Sequence, residues 1–337
     1  MPTMAQIGQG ARLTIKDIAR EAECSIRTVS RVLNDAANVN EETRARVLSI
    51  TRSRNYSPDP EARSLKTKRK STIGVIVNSV TSDVNRQRIE TIARLFNTAG
   101  YAILISYADE IAVEEEVVRR FAARTDALVV FTNLQSRRSP VLDDLALRGY
   151  PFILVDPPVR GPYPYVGIDR AEGYREALRH LASRGRRAIA LVIEEFRSKD
   201  RLDGYRAGLE DAGLDYREDL VVRTGKGFRG GRDAAESLLA LRKSRGADAA
   251  LCHNDKVAAG LLSCLGDRGA KVPEEIALVG FDDDDYSAYL SPPLTTIAQG
   301  GSEVGVHIYE QLFNRLELGS SIASRTFHTS LVLRRSA

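Results

Sequence analysis

Two arginines, several hydroxyl groups and an amide lie close together at residues 25–34, in the second half of the stretch LTIKDIAREAECSIRTVSRVLN that begins at residue 13. A guanidinium group donates paired hydrogen bonds to the edge of a guanine, and hydroxyl or amide groups donate to phosphate oxygens. Thr14 is a candidate for DNA contact at the start of the stretch. We expect six further side chains to face DNA, the first three at base edges and the others nearer the phosphates: Ile26, Arg27, Arg31, Ser25, Thr28 and Asn34.

Two short helices joined by a tight turn are needed to present these side chains. Thr14 and Ser25 are suitable N-caps, and Asp17 can complete a capping box with Thr14. Apolar residues recur at helical spacing after each cap, so each helix has one face for a small core. This is the pattern of a helix-turn-helix, whose second helix enters the major groove. Periodicity leaves one alternative open, a small helical bundle with a solvated charged face.

Glu23 lies in the turn between the two helices. Such turns often hold a glycine, because one residue adopts a left-handed conformation. A glutamate with a positive φ there would cost about 1 kcal/mol, so we expect a slightly strained turn within an intact motif. After the second helix, Asn40 is predicted to cap a third helix over residues 41–55.

A second feature follows the helices, in the segment NYSPDPEARSL at residues 55–65. Asp59 is suited to an N-cap and Pro60 to the first helical position, which predicts a helix of barely two turns ending near Leu65. So short a helix is marginal by itself in water. Residues 1–70 carry a net charge of +6 and the remainder −2. Localised positive charge favours a polyanion as partner, although a basic run by itself is often only solvated.

The segments TIKDIAREA, TVSRVLN, VNEETRARV and NYSPDPEARSL resemble the headpiece and hinge of the LacI/GalR family of bacterial transcription regulators. The resemblance is almost continuous over the first 65 residues and looser beyond them. It implies that the short helix pairs with its dimer mate in the minor groove, where Leu65 wedges into the central base step and kinks the DNA. Ala62 joins the candidate DNA-binding set with it. The alternative for Leu65 is an ordinary apolar linker residue, and the family usually has asparagine where this chain has Asp59.

From Thr72 onward, short apolar runs alternate with amphipathic segments, which predicts parallel sheets covered by helices on both faces. The predicted strands are 73–78, 102–107, 127–131, 152–156, 188–193, 248–253 and 276–282, and the helices lie near 86–99, 113–124, 172–184, 201–212, 230–244 and 255–268. Roughly 265 residues exceed what one core usually spans, so two lobes are expected.

The resemblance implies an all-α helix-turn-helix headpiece plus an α/β periplasmic-binding-protein-like core of two doubly wound lobes, with a ligand in the cleft. The expected divisions are a flexible tail at 1–12, the DNA-binding domain at 13–57, the hinge helix and linker at 58–70, and the effector-binding and dimerisation core at 71–337. Within the core we assign about 71–168 and 299–322 to the first lobe, and about 169–298 and 323–335 to the second.

Polar side chains at the carboxyl ends of strands are the candidates for the effector, because ligands of open α/β sheets bind there. Asp282 follows a strand and Asn254 follows another, and Asp169 comes after YVGI. Arg201 stands in DRLDGY, where the resemblance implies a ligand-binding arginine. Carboxylates and a guanidinium facing one cleft suit sugar or nucleoside hydroxyls. For each residue the alternative is a helix cap or a surface ion pair, and Asn254 before a helix fits a cap equally well.

Two loops depart from the family pattern. Residues 82–86 replace an aromatic turn, and a polar segment beginning at Glu194 replaces a Gly/Pro-rich turn. We therefore expect an effector other than a simple neutral hexose, touched by Asp83, Arg86 or Glu194. Phe228 lies in a glycine-rich loop that lacks the phosphate-loop pattern and is a further candidate for the cleft. The simpler alternative is that these side chains point to solvent.

The three cysteines, Cys24, Cys252 and Cys264, have no metal-ligand spacing, and no nucleophile set or dinucleotide loop can be assembled. We expect a protein that is not an enzyme, without cofactor or metal, cytoplasmic and nucleoid-associated when bound, since no signal peptide or membrane-spanning run is seen. The predicted function is a ligand-responsive regulator, most simply a repressor. Its predicted partners are operator DNA, a small carbohydrate-like effector and a second copy of the chain. The alternative is a solute-binding protein of the same core fold.

Overall fold

The chain divides into two compact units, residues 1–71 and 72–337, in a computed structural model. The structure describes residues 13–33, 38–54, 56, 69–78, 82–195 and 199–337. Each unit is described by itself. No helix among these residues is long and apolar enough to cross a membrane.

The described residues of the first unit form three helices, α1 (Ile15–Glu21), α2 (Ile26–Leu33) and α3 (Glu41–Ser53). The predicted caps are confirmed, since Asp17 accepts from the Thr14 N–H at 3.0 Å, Ser25 Oγ from the Thr28 N–H at 3.0 Å, and Asn40 Oδ1 from the Glu42 N–H at 2.9 Å. One apolar residue set from all three helices forms the core: Ile18, Ala19, Ala22, Val29, Val32 and Val47.

The turn between α1 and α2 has the strained backbone that the sequence predicts. Glu23 has a φ of 50°. The Glu23 N–H donates to the Arg20 carbonyl at 3.3 Å and the Cys24 N–H to the Ala19 carbonyl at 3.0 Å. These two bonds form a Schellman closure of α1, in which the left-handed position normally belongs to glycine. The motif is therefore intact, with a glutamate at its least favourable position.

The first lobe of the second unit is built on a six-stranded parallel sheet of order β11-β5-β4-β3-β1-β2. Its strands are β1 (Thr72–Val77), β2 (Ala102–Tyr107), β3 (Ala127–Phe131), β4 (Phe152–Val155), β5 (Tyr165–Asp169) and β11 (Arg325–His328). Helices α4 (Asp83–Thr98), α5 (Ile111–Ala122), α6 (Pro140–Leu147) and α11 (Gly301–Leu318) cover it. Two buried clusters, one on each face of the sheet, confirm the doubly wound arrangement.

The second lobe is built on a four-stranded parallel sheet of order β7-β6-β8-β9. Its strands are β6 (Ile189–Glu194), β7 (Val221–Thr224), β8 (Ala249–Cys252) and β9 (Ala277–Val279), and its helices are α7 (Arg170–Ser183), α8 (Lys199–Asp211), α9 (Gly227–Arg245) and α10 (Asp255–Asp267). An antiparallel pair, β10 (Thr296–Ala298) and β12 (Ser330–Val332), lies beside it.

The lobe boundaries predicted from the sequence are wrong for one segment. The prediction places residues 323–335 in the second lobe, whereas β11 pairs in parallel with β5 at the edge of the first sheet. The chain returns to the second lobe only at β12. Strand β11 has the sequence RTFH and buries only Phe327, so its apolar pattern is too short to indicate a sheet partner.

Candidate DNA-binding face and effector cleft

Helix α2 turns one face to solvent and the other to the headpiece core. Val29 is fully buried and Val32 is 3% exposed, whereas Ile26 is 44% exposed. Arg27 and Arg31 are exposed beside Ile26. In the part of the chain that the structure describes, no carboxylate forms an ion pair with either arginine. A large apolar side chain held in water on the same helix as two exposed cations suits contact with base edges and the thymine methyl group.

The hydroxyls predicted to lie nearer phosphate are placed at the ends of the helices. Ser25 and Thr28 bond to each other through their side-chain oxygens at 2.8 Å. Thr14 Oγ1 donates to Asp17 at 2.7 Å and is exposed. The bond from Thr14 holds the pKa of Asp17 below its ordinary value. Asn34, Ala62, Leu65 and the predicted hinge helix at 59–65 lie outside the described residues.

Five charged side chains from both lobes come within electrostatic range of one another in the second unit. They follow or belong to five different elements, namely α4, β4, α7, α8 and β9. We call them the cleft cluster: Arg88, Asp156, Arg170, Arg201 and Asp282. The cluster brings together two residues that the sequence predicts, Arg201 and Asp282, with three that it does not.

Arg170 and Asp156 form the paired part of the cluster. Arg170 Nη1 donates to Asp156 Oδ1 at 3.0 Å, and Nη2 donates to Oδ2. The two side chains are 10% and 20% exposed. Asp156 stands directly after β4 with a left-handed φ of 53°, and its N–H donates to the Val166 carbonyl at 2.7 Å. Although burial opposes the charged form, the pKa of Arg170 is raised because Asp156 stabilises the cation.

Arg201 and Asp282 approach the cluster from the second lobe. Arg201 Nε donates to the His253 carbonyl at 3.0 Å, and its guanidinium carbon lies 5.2 Å from the centre of the Phe281 ring. Burial lowers the pKa of Arg201 and raises that of Asp282. Asp282 has a φ of 112°, and Gln299 Nε2 donates to its Oδ1. The Asp282 carboxylate thus faces Gln299, which comes directly after β10.

Glu194, His253 and Asn254 form a hydrogen-bonded network beside Arg201. Glu194 Oε1 accepts from the Gly227 N–H at 3.0 Å and from Asn254 Nδ2 at 3.3 Å. Asn254 Oδ1 also caps α10 by accepting from the Val257 N–H at 2.9 Å. Burial lowers the pKa of His253 well below its usual value. His253 is therefore neutral near pH 7, and Asn254 serves as the helix cap that the sequence left open.

Ion pairs join the two lobes at the mouth of the cleft. Lys256 Nζ lies 3.0 Å from Asp83 Oδ2, and Arg86 Nη2 lies 3.1 Å from Asp285 Oδ2. Arg86 also pairs with Glu90 at 3.0 Å. These contacts connect α4 of the first lobe to α10 and the loop after β9 in the second. Asp83 and Arg86 therefore lie at the rim rather than in the cleft cluster.

The remaining two candidates lie away from the cluster. Asp169 caps α7 through the Glu172 N–H at 3.4 Å and lies 3.7 Å from His328 Nδ1. Asp169 is therefore a helix cap, which is the alternative role that its sequence position allowed. The Phe228 ring is 49% exposed and 5.7 Å from the Tyr286 ring. Contact of either residue with an effector stays a prediction.

Comparison with known proteins decides the family. Residues 14–59 match the model for bacterial regulatory proteins of the lacI family, and residues 178–337 match a periplasmic binding protein-like domain. The transcriptional regulator DegA of Bacillus subtilis is 30% identical over 87% of this chain and 88% of its own length. The chain belongs to the lacI family.

Two further proteins bear on the comparison. The transcriptional repressor PurR of Vibrio cholerae is 30% identical over 90% of this chain and 91% of its own. The Lac repressor dimer bound to operator and the anti-inducer ONPF has a TM-score of 0.84 at 24% identity, over 97% of this chain and 99% of that one. The fold is thus that of a helix-turn-helix headpiece and a periplasmic-binding-protein-like core. As a member of the lacI family, the protein is a DNA-binding transcriptional regulator with an effector-binding type of core.

Sequence reasoning missed Arg88, Asp156, Arg170 and Gln299. Asp156 follows a predicted strand at its carboxyl end, so the rule that selected Asp282 would have found it. Arg170 comes directly after β5, which ends at Asp169, so the same rule could have selected it. Arg88 gives a weaker signal, a charged residue on the apolar stripe of α4 that also contains Val84 and Ile92. Nothing local indicates Gln299.

Proposed function

We propose that this protein is a ligand-responsive repressor that binds a pseudo-palindromic operator as a homodimer in the bacterial cytoplasm. The observation that carries the proposal is the exposed face of α2, with Ile26, Arg27 and Arg31 in water on a folded headpiece. A domain that only needed a stable bundle would gain nothing from holding Ile26 44% exposed beside two cations.

An apolar edge on the first lobe supports the homodimer. Strand β2 lies at the end of the six-stranded sheet. Its Ile105 and Tyr107 are 52% and 48% exposed, and Ile111 and Val113 at the start of α5 are 38% and 40% exposed. Exposed apolar side chains beside an open sheet edge favour pairing with another surface. A second copy would bury them and bring two headpieces to one operator, with half-sites one helical turn apart.

The cleft between the lobes is the proposed effector site. Arg201 and Asp282 come from the second lobe and Arg88 and Asp156 from the first, so a ligand held by both pairs would fix the relation of the lobes. Because the hinge helix predicted at residues 59–65 is too short to be stable alone, a small change at its base would form or melt it. A coupling free energy of roughly 1–3 kcal/mol would give a useful response.

Selection of genomic fragments by the purified protein tests the proposal. We expect enrichment of a pseudo-palindrome, and a binding constant that falls steeply as salt rises from about 50 to 200 mM because several phosphates are contacted. Sedimentation of the unbound protein should show a dimer. Absence of any enriched fragment at low salt, with and without candidate effectors, would refute the regulatory function.

A further inference from the structure

Arg88 is a buried cation without a carboxylate partner among the described residues. It is 2% exposed. Nη1 donates to Asn85 Oδ1 at 3.3 Å and Nη2 to the Gln299 carbonyl at 3.3 Å. Its Nε–H has no hydrogen-bond partner in the described part of the chain. A buried charge is costly unless it is paired and its donors are satisfied, so this side chain is poised for a group that accepts hydrogen bonds.

The carboxylates near the cleft cluster are already engaged with other groups. Asp156 accepts from both terminal nitrogens of Arg170, and Asp282 accepts from Gln299. Asp200, which lies outside the cluster, also acts on Arg170. Burial lowers the pKa of Arg88 to about 10, although Asp156 favours its charged form. Arg88 therefore has no carboxylate of its own among the described residues.

Two more unpaired polar atoms belong to the cluster or to a residue bonded to it. Arg170 Nε is buried without a partner, and so is Gln299 Oε1, as far as the structure describes the chain. Two N–H donors on cations suit a carboxylate or phosphate oxygen, because guanidinium groups bind such oxyanions with directed, charge-assisted bonds. The lone acceptor on Gln299 suits a hydroxyl of the same molecule.

We infer that the effector is a hydroxylated anion, whose carboxylate or phosphate group is bound by Arg88 with Arg170 and whose hydroxyl groups meet Gln299 and Asp282. This rests on the proposed function, since it names the chemical class that the same cleft takes. A neutral sugar would leave the Nε–H groups of Arg88 and Arg170 without an anionic acceptor, and both guanidinium groups would repel a cation. The rim pairs of Lys256 with Asp83 and Arg86 with Asp285 would open to admit the ligand and close behind it.

Thermal unfolding of the full-length protein tests the inference without reference to DNA. The probes are D-gluconate, D-glucuronate and D-glucose 6-phosphate, with D-glucose as the neutral analogue, and sodium phosphate against sodium chloride at equal ionic strength. At least one anion should raise Tm by about 2–4 °C, and D-glucose should not. Stabilisation by the two sugar acids alone would indicate a carboxylate site, and stabilisation by D-glucose 6-phosphate or sodium phosphate would indicate a phosphate site.

Substitutions on α4 test whether Arg88 binds the anion. Arg88→Met keeps a long apolar stem and should weaken anion binding about tenfold or more, the size of a charge-assisted hydrogen bond. Arg88→Lys keeps the charge and should retain part of the preference for anions. Arg94→Met removes an exposed arginine of the same helix and should leave binding unchanged.

Two outcomes would overturn the inference. One is that D-glucose stabilises the wild-type protein as well as its acids do. The other is that no anion, phosphate included, stabilises the wild-type protein more than the R88M variant. If R88M does not fold, the contrast between neutral and anionic probes on the wild-type protein and on R88K still decides. Failure of the proposed function would be seen separately, because neither the wild-type protein nor any variant would enrich operator DNA.

Discussion

Arginines are used in opposite ways in the headpiece and in the cleft. Arg27 and Arg31 stand in water on α2, where a charge costs little and stays available to DNA. Arg88 and Arg170 are buried between the lobes, where a charge is tolerated only with partners. Because the first pair is exposed, we expect that it can be changed without disturbing the fold, whereas the second pair makes buried contacts. We therefore predict a role in DNA recognition for the first pair and a role in stability and effector binding for the second.

Removal of one buried partner should give the largest effect. Asp156→Ala leaves Arg170 in the cleft without its carboxylate, which should lower the free energy of unfolding by about 3–5 kcal/mol. Urea denaturation of the full-length protein measures it. Asp144→Ala is the matched control, because Asp144 pairs with Arg148 at 2.6 Å with both side chains more than half exposed. That pair should contribute less than about 1 kcal/mol. Equal losses in the two variants would contradict the distinction between buried and exposed pairs.

A buried carboxyl of the second lobe should make stability depend on pH. Asp255 is fully buried and accepts from Ser287 Oγ at 2.6 Å and from the Asp284 N–H at 2.8 Å. Burial raises its pKa to about 8. The folded state thus holds a proton that the unfolded state has lost above its ordinary pKa near 4. Stability is then greatest below about pH 4 and falls as pH rises toward 8.

The Asp255→Asn variant isolates this contribution. Between pH 5 and pH 8, the wild-type protein should lose roughly 2–4 kcal/mol more unfolding free energy than the variant. Denaturation curves at several pH values measure the difference, in which the contributions of groups that do not interact with Asp255 cancel. Parallel curves for the two proteins would show that Asp255 is ionised in the fold across this range, held by its hydrogen bonds.

Among the exposed arginines, Arg31 should contribute to the affinity for DNA and not to the free energy of unfolding. Arg31→Ala should weaken binding to a selected operator by about 1–3 kcal/mol, the cost of a lost base contact. The free energy of unfolding should change by less than about 0.5 kcal/mol. Arg52→Ala, which removes an exposed cation from α3, controls for charge alone. Fluorescence anisotropy at one salt concentration compares the three proteins, and equal losses in R31A and R52A would reduce Arg31 to a general electrostatic role.

The two regions also differ in how far the sequence predicts them. The caps at Thr14, Ser25 and Asn40 and the strained φ of Glu23 depend on neighbours within five positions, so local patterns were enough. The cleft depends on distant partners, as when Arg88 donates to Gln299, 211 positions away. A strand end located Asp282 and the family resemblance located Arg201, but no local pattern gives the contact between α4 and Gln299, directly after β10. The role of each site residue in binding stays a prediction.

Substitution of Glu23, which has a left-handed backbone in the headpiece, should give the smallest effect. Glu23→Gly should relieve the left-handed backbone and stabilise α1 and α2 by about 0.5–1 kcal/mol, since glycine adopts a positive φ without steric cost but loses more entropy on folding. Glu23→Ala is the control, because alanine keeps the Cβ and should give no gain. Hydrogen exchange of the α1 and α2 amides in the full-length protein should slow about two- to fivefold in E23G alone, the rate equivalent of that free energy. If exchange is unchanged in E23G, the Schellman bonds from Glu23 and Cys24 already offset the strain, and the turn with glutamate is as stable as one with glycine.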